Sequence, residues 1–337
     1  MKRFLPLFLA LALLLTGCTA VSTTETTSQA VSQVDSPSSA LESAAESASS
    51  QLESISITDS NGSQITLDTS APRVVAAYGS FAEAWLLAGG ELCGVTQDAL
   101  EQRDLGLPED IAVVGTVKEP NAEEIIALEP DLVLLASDIT AQAEIRDVLE
   151  NAGLACAFFQ VDTFADYAFM MEQLCAVTGR EDLYEENVTQ VGQQIEESQA
   201  NAALSSTRPN VLLIRAFSTG IKAKTDDELA GAILKDLGAH NIADDHPSML
   251  EDLSLEEVIA ADPDYIFVTT MGDEQKALDY LNGLIQQNPA WSGLSAVKED
   301  RYIVLPKDLF HYKPNNRWGE SYQYLGEILY PELFHEE

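Results

Sequence analysis

The sequence predicts an α/β protein built from two related lobes, and three observations support this. A segment that reads NAEEIIALEPDLVLL from Asn121 to Leu135 returns as SLEEVIAADPDYIFV from Ser254 to Val268. Each copy reads as a capped helix, a Pro-Asp break and a short apolar run typical of a buried parallel strand. A helix with one apolar stripe, from Glu181 to about Leu204, lies between the copies and is followed by no immediate strand. The length of 337 residues also suits two domains.

Apolar spacing and turn residues place the remaining elements. Asn61-Gly62, between alternating apolar positions, predicts a β-hairpin before the first lobe. In the first lobe we expect strands at Arg73–Tyr78, Leu92–Val95, Ile111–Val114 and Leu154–Phe159, and helices at Phe81–Leu87 and Ala141–Asn151. Helices at Phe164–Val177 and Glu181–Leu204 follow, and the second is expected to be a rod that joins the lobes. In the second lobe we expect strands at Val211–Arg215, Ile221–Ala223 and Tyr302–Leu305, and helices at Asp226–Leu237, Glu274–Gln287 and Arg317–Leu329.

The chain begins with the pattern of an exported protein. Lys2 and Arg3 precede an apolar run from Phe4 to Leu15, which is typical of a signal peptide. The run ends in Leu-Thr-Gly-Cys18, which resembles a bacterial lipobox, so we expect Cys18 to carry lipid. The Ser-, Thr- and Ala-rich stretch that follows has almost no large apolar residues and is expected to be a disordered tether. The predicted organisation is a signal peptide (1–17), the lipidated Cys and tether (18–54), an N-terminal lobe (55–162), linking helices (163–208) and a C-terminal lobe (209–337).

Composition narrows the possible partners. The chain has 18 Lys and Arg against 55 Asp and Glu, a net charge of −37, which argues against a nucleic-acid partner. Apart from Cys18, the cysteines Cys93, Cys156 and Cys175 are odd in number and lack metal-ligand spacing, so we expect buried free thiols. Four scattered histidines do not form a closed set of metal ligands, and no resident metal is expected.

With these residues in place, the chain resembles the extracellular substrate-binding lipoproteins of ABC importers for iron chelates, haem and cobalamin. The resemblance runs from Arg73 to about Pro331 and rests on RVVAAYGSFAEAWLLAGG, VGTVKEPNAEEI, LKDLGAHNIA, NPAWSGLSAVKEDRYIVLP and the repeated segment. It implies two Rossmann-like lobes joined by a single long α-helix, with the ligand in a shallow cleft between them. It also implies a monomer that delivers its solute to a permease dimer with a cytoplasmic ATPase, from the extracellular face of the membrane, to which only the lipid attaches it.

The resemblance also implies that an acidic residue on each lobe engages arginines of the permease dimer. By their motif positions these are Glu123 and Glu256, which the internal repeat relates to each other. Both fall in a first helical turn, where the helix dipole favours a carboxylate without any partner, so a purely structural role stays open.

The loops after the strands hold the candidate ligand contacts, because open α/β sheets bind ligands at the carboxyl ends of their strands. These loops are rich in cations for so acidic a chain, which suggests an anionic ligand, with solvated loop lysines as an equally open alternative. Aromatic side chains in the same loops would suit a flat or apolar chelate, and an imidazole or thioether could ligate haem iron. The candidates are Tyr78, Phe81, Lys118, Arg215, Lys222, Met271, His311, Lys313, Arg317 and Trp318.

Capture without chemistry is the function that these observations favour. The sequence contains no GxSxG, P-loop or HExxH motif, so no enzyme is expected, and no cofactor other than the captured ligand. A ferric siderophore is the expected ligand, with haem or cobalamin as alternatives. A metal-cluster enzyme on a related fold and a tethered adhesin are the remaining alternatives.

Overall fold

The structure, a computed structural model, describes residues 54–69, 71–251 and 253–334. The predicted signal peptide, Cys18 and all of the predicted tether except Ser54 lie outside these residues. No helix in these three ranges has the length and apolar character that crossing a bilayer would require.

The first lobe is a parallel sheet preceded by a hairpin. Its strands are β1 Ile55–Thr58, β2 Gln64–Leu67, β3 Val74–Ala76, β4 Leu92–Val95, β5 Ala112–Val113, β6 Gly115–Thr116, β7 Glu119–Pro120, β8 Leu132–Ala136 and β9 Ala155–Phe159. Its helices are α1 Gly79–Leu87, α2 Asp98–Glu101, α3 Ala122–Ala127, α4 Thr140–Glu144 and α5 Arg146–Asn151. The sheet order is β5-β4-β3-β8-β9, with every neighbouring pair parallel. The predicted helix at 141–151 is divided in two at Ile145.

Two successive helices connect the lobes. They are α6 Phe164–Thr178, which ends at left-handed Gly179, and a second helix made of α7 Glu181–Tyr184, a π-helical turn at Glu185–Thr189 and α8 Gln190–Ala202. The expectation of a single long α-helix is therefore not confirmed. A glycine with φ of 67° ends α6, and the second helix is not α-helical throughout.

The second lobe repeats the arrangement of the first with an added hairpin. Its strands are β10 Asn210–Phe217, β11 Gly220–Lys224, β12 His240–Asn241, β13 Tyr265–Thr270 and β14 Tyr302–Val304. Its helices are α9 Leu229–Asp236, α10 Leu255–Ala261, α11 Glu274–Gln287, α12 Ser295–Lys298, α13 Lys307–Phe310, α14 Trp318–Leu329 and α15 Pro331–Phe334. The order is β11-β10-β13-β14, with β12 parallel to the start of β10 and only β11 antiparallel. The predicted α/β fold with two lobes is confirmed.

The repeated segments form equivalent contacts in the two lobes. Asn121 caps α3 and Ser254 caps α10, each through its side-chain oxygen. Asp131 then accepts a hydrogen bond from the backbone N–H of Arg73 at 2.7 Å, at the start of β3. Asp264 accepts one from Asn210 at 2.8 Å, at the start of β10. In each lobe the carboxylate therefore ties the end of an αβ unit to the first strand of its sheet.

A shared apolar core holds the lobes and the connecting helices together. Trp318 of α14 lies edge-on to Phe164 of α6, with ring centroids 6.3 Å apart, and both belong to a cluster that extends from the first sheet to the second. Gly319 allows α14 to approach the connecting helix, because a Cβ there would lie 2.8 Å from the Cβ of Gln194. Close packing at these points fixes where the carboxyl ends of the two sheets meet.

Candidate functional site

A cleft of about 270 Å³ lies where the carboxyl ends of the two sheets meet. The first lobe contributes Tyr78 after β3, Asp138 after β8, and Val161 and Asp162 after β9. The second lobe contributes Arg215, Asp227, Glu228, Leu229, Met271, Phe310, His311 and Lys313. Five of the ten predicted ligand contacts, Tyr78, Arg215, Met271, His311 and Lys313, therefore come together in one cleft.

Arg215 in the cleft is already paired with a carboxylate of its own lobe. Its guanidinium contacts Glu228, and the two side chains are only 15% and 13% exposed. The ammonium of Lys224 lies 2.9 Å from the carboxylate of Glu228 and 3.6 Å from the carboxylate of Asp227. Burial opposes ionisation of Asp227, but a hydrogen bond from Thr225 and the charge of Lys224 outweigh it and lower its pKa. At this end of the cleft two cations and two carboxylates therefore neutralise each other.

Lys313 forms the second internal pair, across the lobes. Its ammonium donates to the carbonyl of Val161 and lies 3.2 Å from Oδ1 of Asp162. Burial opposes ionisation of Asp162, but hydrogen bonds from Gln160 and Lys313 and the charge of Lys313 lower its pKa. The lysine therefore links the second lobe to the first through a charged contact.

Tyr78 and His311 are both uncharged in the cleft at neutral pH. Burial, followed by the charge of Asp98, raises the pKa of Tyr78 to about 12, so its phenol keeps its proton. Burial and the neighbouring Arg215, Lys307 and Lys313 lower the pKa of His311 to about 4. An unprotonated imidazole offers a nitrogen lone pair for a hydrogen bond or for a metal.

The loop from His311 to Arg317, which we call the interlobe loop, fastens the second lobe to the first. Buried Asn315 donates to the carbonyl of Ser80 at 2.9 Å and to Glu83 at 2.6 Å. Arg103 pairs with the same Glu83 and donates to the carbonyl of Lys313 at 3.1 Å. Both Lys313 and Asn315 have positive φ, at 59° and 51°. These bonds hold one wall of the cleft against the other.

The other predicted ligand contacts lie elsewhere, which corrects those expectations. Phe81 and Trp318 are 1% exposed and pack in the core, because each ring lies on the inward face of its helix. Lys118 lines a separate recess of about 260 Å³ beside α2. Lys222 is exposed on β11, and Arg317 pairs with Asp308 and Glu320. The cation-rich loops therefore do not produce a positively charged cleft.

Sequence reasoning missed the acidic half of the cleft. The carboxylates that line it are Asp138, Asp162, Asp227 and Glu228. All four follow strands, the position that singled out the cations, so the same rule would have found them had it been applied to acidic residues. Glu228 was instead assigned to the interior of a helix that begins only at Leu229.

The other predicted functional residues have clear positions. Glu123 and Glu256 are both exposed in the first turns of α3 and α10. Cys93, Cys156 and Cys175 are free thiols, as expected, although Cys93 is only half-buried.

Comparison with known proteins gives a family match over most of the chain. The model of the family described as "Periplasmic binding protein" matches residues 74–309. Among curated proteins, the chain is similar to the Fe(3+)-citrate-binding protein YfmC of Bacillus subtilis, with 26% identity over 270 residues. That alignment covers 77% of this chain and 81% of the relative.

Solved structures share the fold at low identity. The crystal structure of Staphylococcus aureus IsdE complexed with heme is 19% identical, with a TM-score of 0.64, and the match covers 77% of this chain and 99% of that one. Staphylococcus aureus SirA complexed with staphyloferrin B is also 19% identical, with a TM-score of 0.62, covering 83% and 99%. At this level of identity the two structures support the fold.

Proposed function

The chain belongs to the periplasmic binding protein family, and from that premise we propose that it captures a ferric siderophore outside the cell and delivers it to an ABC importer. The observation that carries the proposal is the cleft between two carboxyl-end loop clusters, with Tyr78, His311 and Met271 among its lining residues. Clefts of this kind, with a few polar groups among apolar ones, suit a small chelate. The names of the relatives, which include an Fe(3+)-citrate-binding protein, support iron as the cargo.

Haem is the second candidate, and one observation favours it. Met271 and the unprotonated His311 both line the cleft, and each side-chain type can ligate haem iron. A relative from Staphylococcus aureus, a high-affinity heme uptake system protein, is 22% identical over 226 residues and supports the same reading. No comparable observation favours cobalamin.

A binding titration separates these candidates. We expect purified full-length protein to bind one class of ferric siderophore saturably, with a dissociation constant in the micromolar range or tighter, measured by calorimetry. Haem binding would instead give a shifted Soret band that is lost in both His311→Ala and Met271→Ala. Absence of binding to ferric siderophores, ferric citrate and haem alike would contradict the proposal.

The delivery half of the proposal rests on Glu123 and Glu256. Matched carboxylates on two related lobes suit a two-fold partner, and both are exposed. We expect the double variant Glu123→Lys/Glu256→Lys to lose uptake of radiolabelled ferric ligand in cells that depend on this protein, while its affinity in solution stays unchanged. The cause would be charge repulsion at the permease arginines that the family resemblance implies.

A matched control separates docking from general charge effects. Glu181 and Glu332 are also exposed glutamates in first helical turns, and their reversal to Lys changes the net charge equally. The Glu181→Lys/Glu332→Lys variant should transport normally. Equal loss in both double variants, or normal uptake in the Glu123/Glu256 variant, would remove the docking role.

We also infer that a lipid on Cys18 holds the protein at the outer face of the membrane. The motif before Cys18 supports this. Cells grown with labelled fatty acid should transfer the label to the wild type and to Cys93→Ser, but not to Cys18→Ser. Labelling of Cys18→Ser equal to that of the wild type would exclude a lipid on this residue.

A further inference from the structure

The cleft has an excess of negative charge. Four carboxylates and two cations line it, and Lys224, which contacts Asp227 and Glu228 from beside the cleft, reduces the excess to one negative charge. The hydrogen-bonded Asp162 and Asp227 are ionised at neutral pH because their pKa values are lowered. His311 adds no positive charge, since its pKa lies near 4. The whole chain, at −37, adds a field of the same sign.

The two cations of the cleft are not free for a ligand. Arg215 pairs with Glu228, and Lys313 pairs with Asp162 and the carbonyl of Val161. An anionic ligand that recruits either cation exchanges one ion pair for another. Glu228 would keep Lys224, and the half-exposed Asp162 would lose its ammonium partner, so recruitment brings little net gain.

One carboxylate adds charge without compensation. Asp138 has no salt-bridge partner among the described residues, and it lines the cleft from the first lobe. Coulomb's law, with a dielectric constant near that of water, gives the scale of the effect. A negative charge on the ligand about 6 Å from Asp138 would weaken binding roughly threefold relative to a neutral group, before screening by salt.

We propose that the cleft selects neutral or cationic ferric complexes, such as trihydroxamates, over anionic ones, such as tricatecholates, ferric citrate and haem. This inference rests on the proposed function. Hydroxamate and amide oxygens accept hydrogen bonds without carrying the net charge that the cleft repels. The unpaired Asp138 thus acts as a charge filter for the ligand, and the other carboxylates keep the cations of the cleft from offsetting it.

The test is a series of ligands that share one iron site and differ in charge at a single terminal group. Ferrioxamine B has a terminal ammonium, its acetylated form is neutral and its succinylated form ends in a carboxylate, while the iron site is the same. Titration calorimetry of the full-length protein with this series, ferrichrome, a ferric tricatecholate, ferric citrate and haem gives the order of affinities. At low salt we expect the neutral form to bind roughly threefold, and the cationic form roughly tenfold, more tightly than the succinylated form, with smaller ratios at high salt.

Each outcome has a distinct meaning. Binding restricted to, or tightest for, neutral and cationic complexes supports the charge filter. Binding that is as tight or tighter for the succinylated form, or confined to the tricatecholate, citrate or haem, overturns it and leaves iron-chelate capture intact. Failure of every ferric complex overturns the proposed function as well.

Charge-removing variants locate the effect in the cleft. Asp138→Asn should reduce the affinity ratio between the acetylated form, or whichever neutral complex binds best, and the best anionic complex by roughly threefold, since it removes the carboxylate of the cleft that has no counter-charge. Asp147→Asn makes the same change on α5, outside the cleft, and should leave the ratio unchanged. Equal effects of both variants would assign the selectivity to the net charge of the protein instead of the cleft.

Discussion

His311 shows how strongly the cleft controls the state of a single residue. Its imidazole lies near three cations, Arg215, Lys307 and Lys313, and burial adds to their effect, so the pKa falls from 6.5 to about 4. In the unfolded chain the same residue takes up a proton near pH 6.5. The folded state therefore loses stability relative to the unfolded state as the pH falls from 6.5 towards 4.

This gives a prediction about pH. Between pH 7 and pH 5 the wild-type protein should lose about 2 kcal/mol of unfolding free energy through His311, and His311→Gln should not show that loss. Urea unfolding at the two pH values measures it. The control is His246→Gln, a histidine outside the cleft, which should lose stability as the wild type does. The same pH dependence in His311→Gln as in the wild type would show that the imidazole is not shielded.

For single residues, the sequence predicted those cleft contacts that follow from a residue's place relative to the strands. Tyr78, Arg215 and Lys313 belong to the segments predicted at the carboxyl ends of strands, and they line the cleft as expected. Phe81 and Trp318 lie in the same loops by sequence, but the orientation of a helix decides whether its first aromatic residue faces ligand or core. The pairing of Arg215 with Glu228 also escaped prediction, because the sequence does not show where the helix after β11 begins.

At the scale of elements, the internal repeat is the most informative feature. Sequence comparison of the two copies predicted a capped helix followed by a buried strand, and both lobes contain that unit. The sequence did not reveal the function of Asp131 and Asp264, whose partners lie far along the chain at Arg73 and Asn210. Contacts between distant segments depend on sheet order, which spacing within a segment does not encode.

The repeat predicts matched losses of stability. Asp131→Ala and Asp264→Ala should each lower the unfolding free energy by about 1 kcal/mol, because each removes a charge-assisted hydrogen bond to the first strand of its sheet. Asp131→Asn and Asp264→Asn keep an acceptor oxygen and should lose less. Chemical denaturation compares them with Asp147→Ala, which has no such bond among the described contacts. A loss in Asp147→Ala as large as in the other two would contradict the role of these ties.

At the scale of the whole molecule, charge dominates. With 55 acidic and 18 basic residues, the folded chain brings many like charges together, and their repulsion favours expansion. Salt bridges such as Arg317–Asp308 neutralise only part of this excess. The two-lobe plan could be predicted from the repeat and the length. The broken connecting helix could not, since the π-helical turn at Glu185–Thr189 has no clear signal in the local sequence.

The charge excess predicts stabilisation by salt. The melting temperature should rise by several degrees between low ionic strength and about 0.2 M sodium chloride, because screening weakens the repulsion over a Debye length of about 10 Å or less. Differential scanning calorimetry measures it. Choline chloride should act equally, which separates screening from binding of sodium, and sucrose of equal osmolality should act less. An unchanged or lower melting temperature would show that salt bridges outweigh the repulsion.

The interlobe loop has a consequence for the kinetics of transport. Because Asn315 and Arg103 already hold the two walls together, the incoming solute orders little of the chain, and the entropic penalty of association is small. The same contacts that join the two walls before the solute binds also keep them joined after it has bound. If the chain delivers its solute to an ABC importer as proposed, we expect release to require that the transporter separate the two walls.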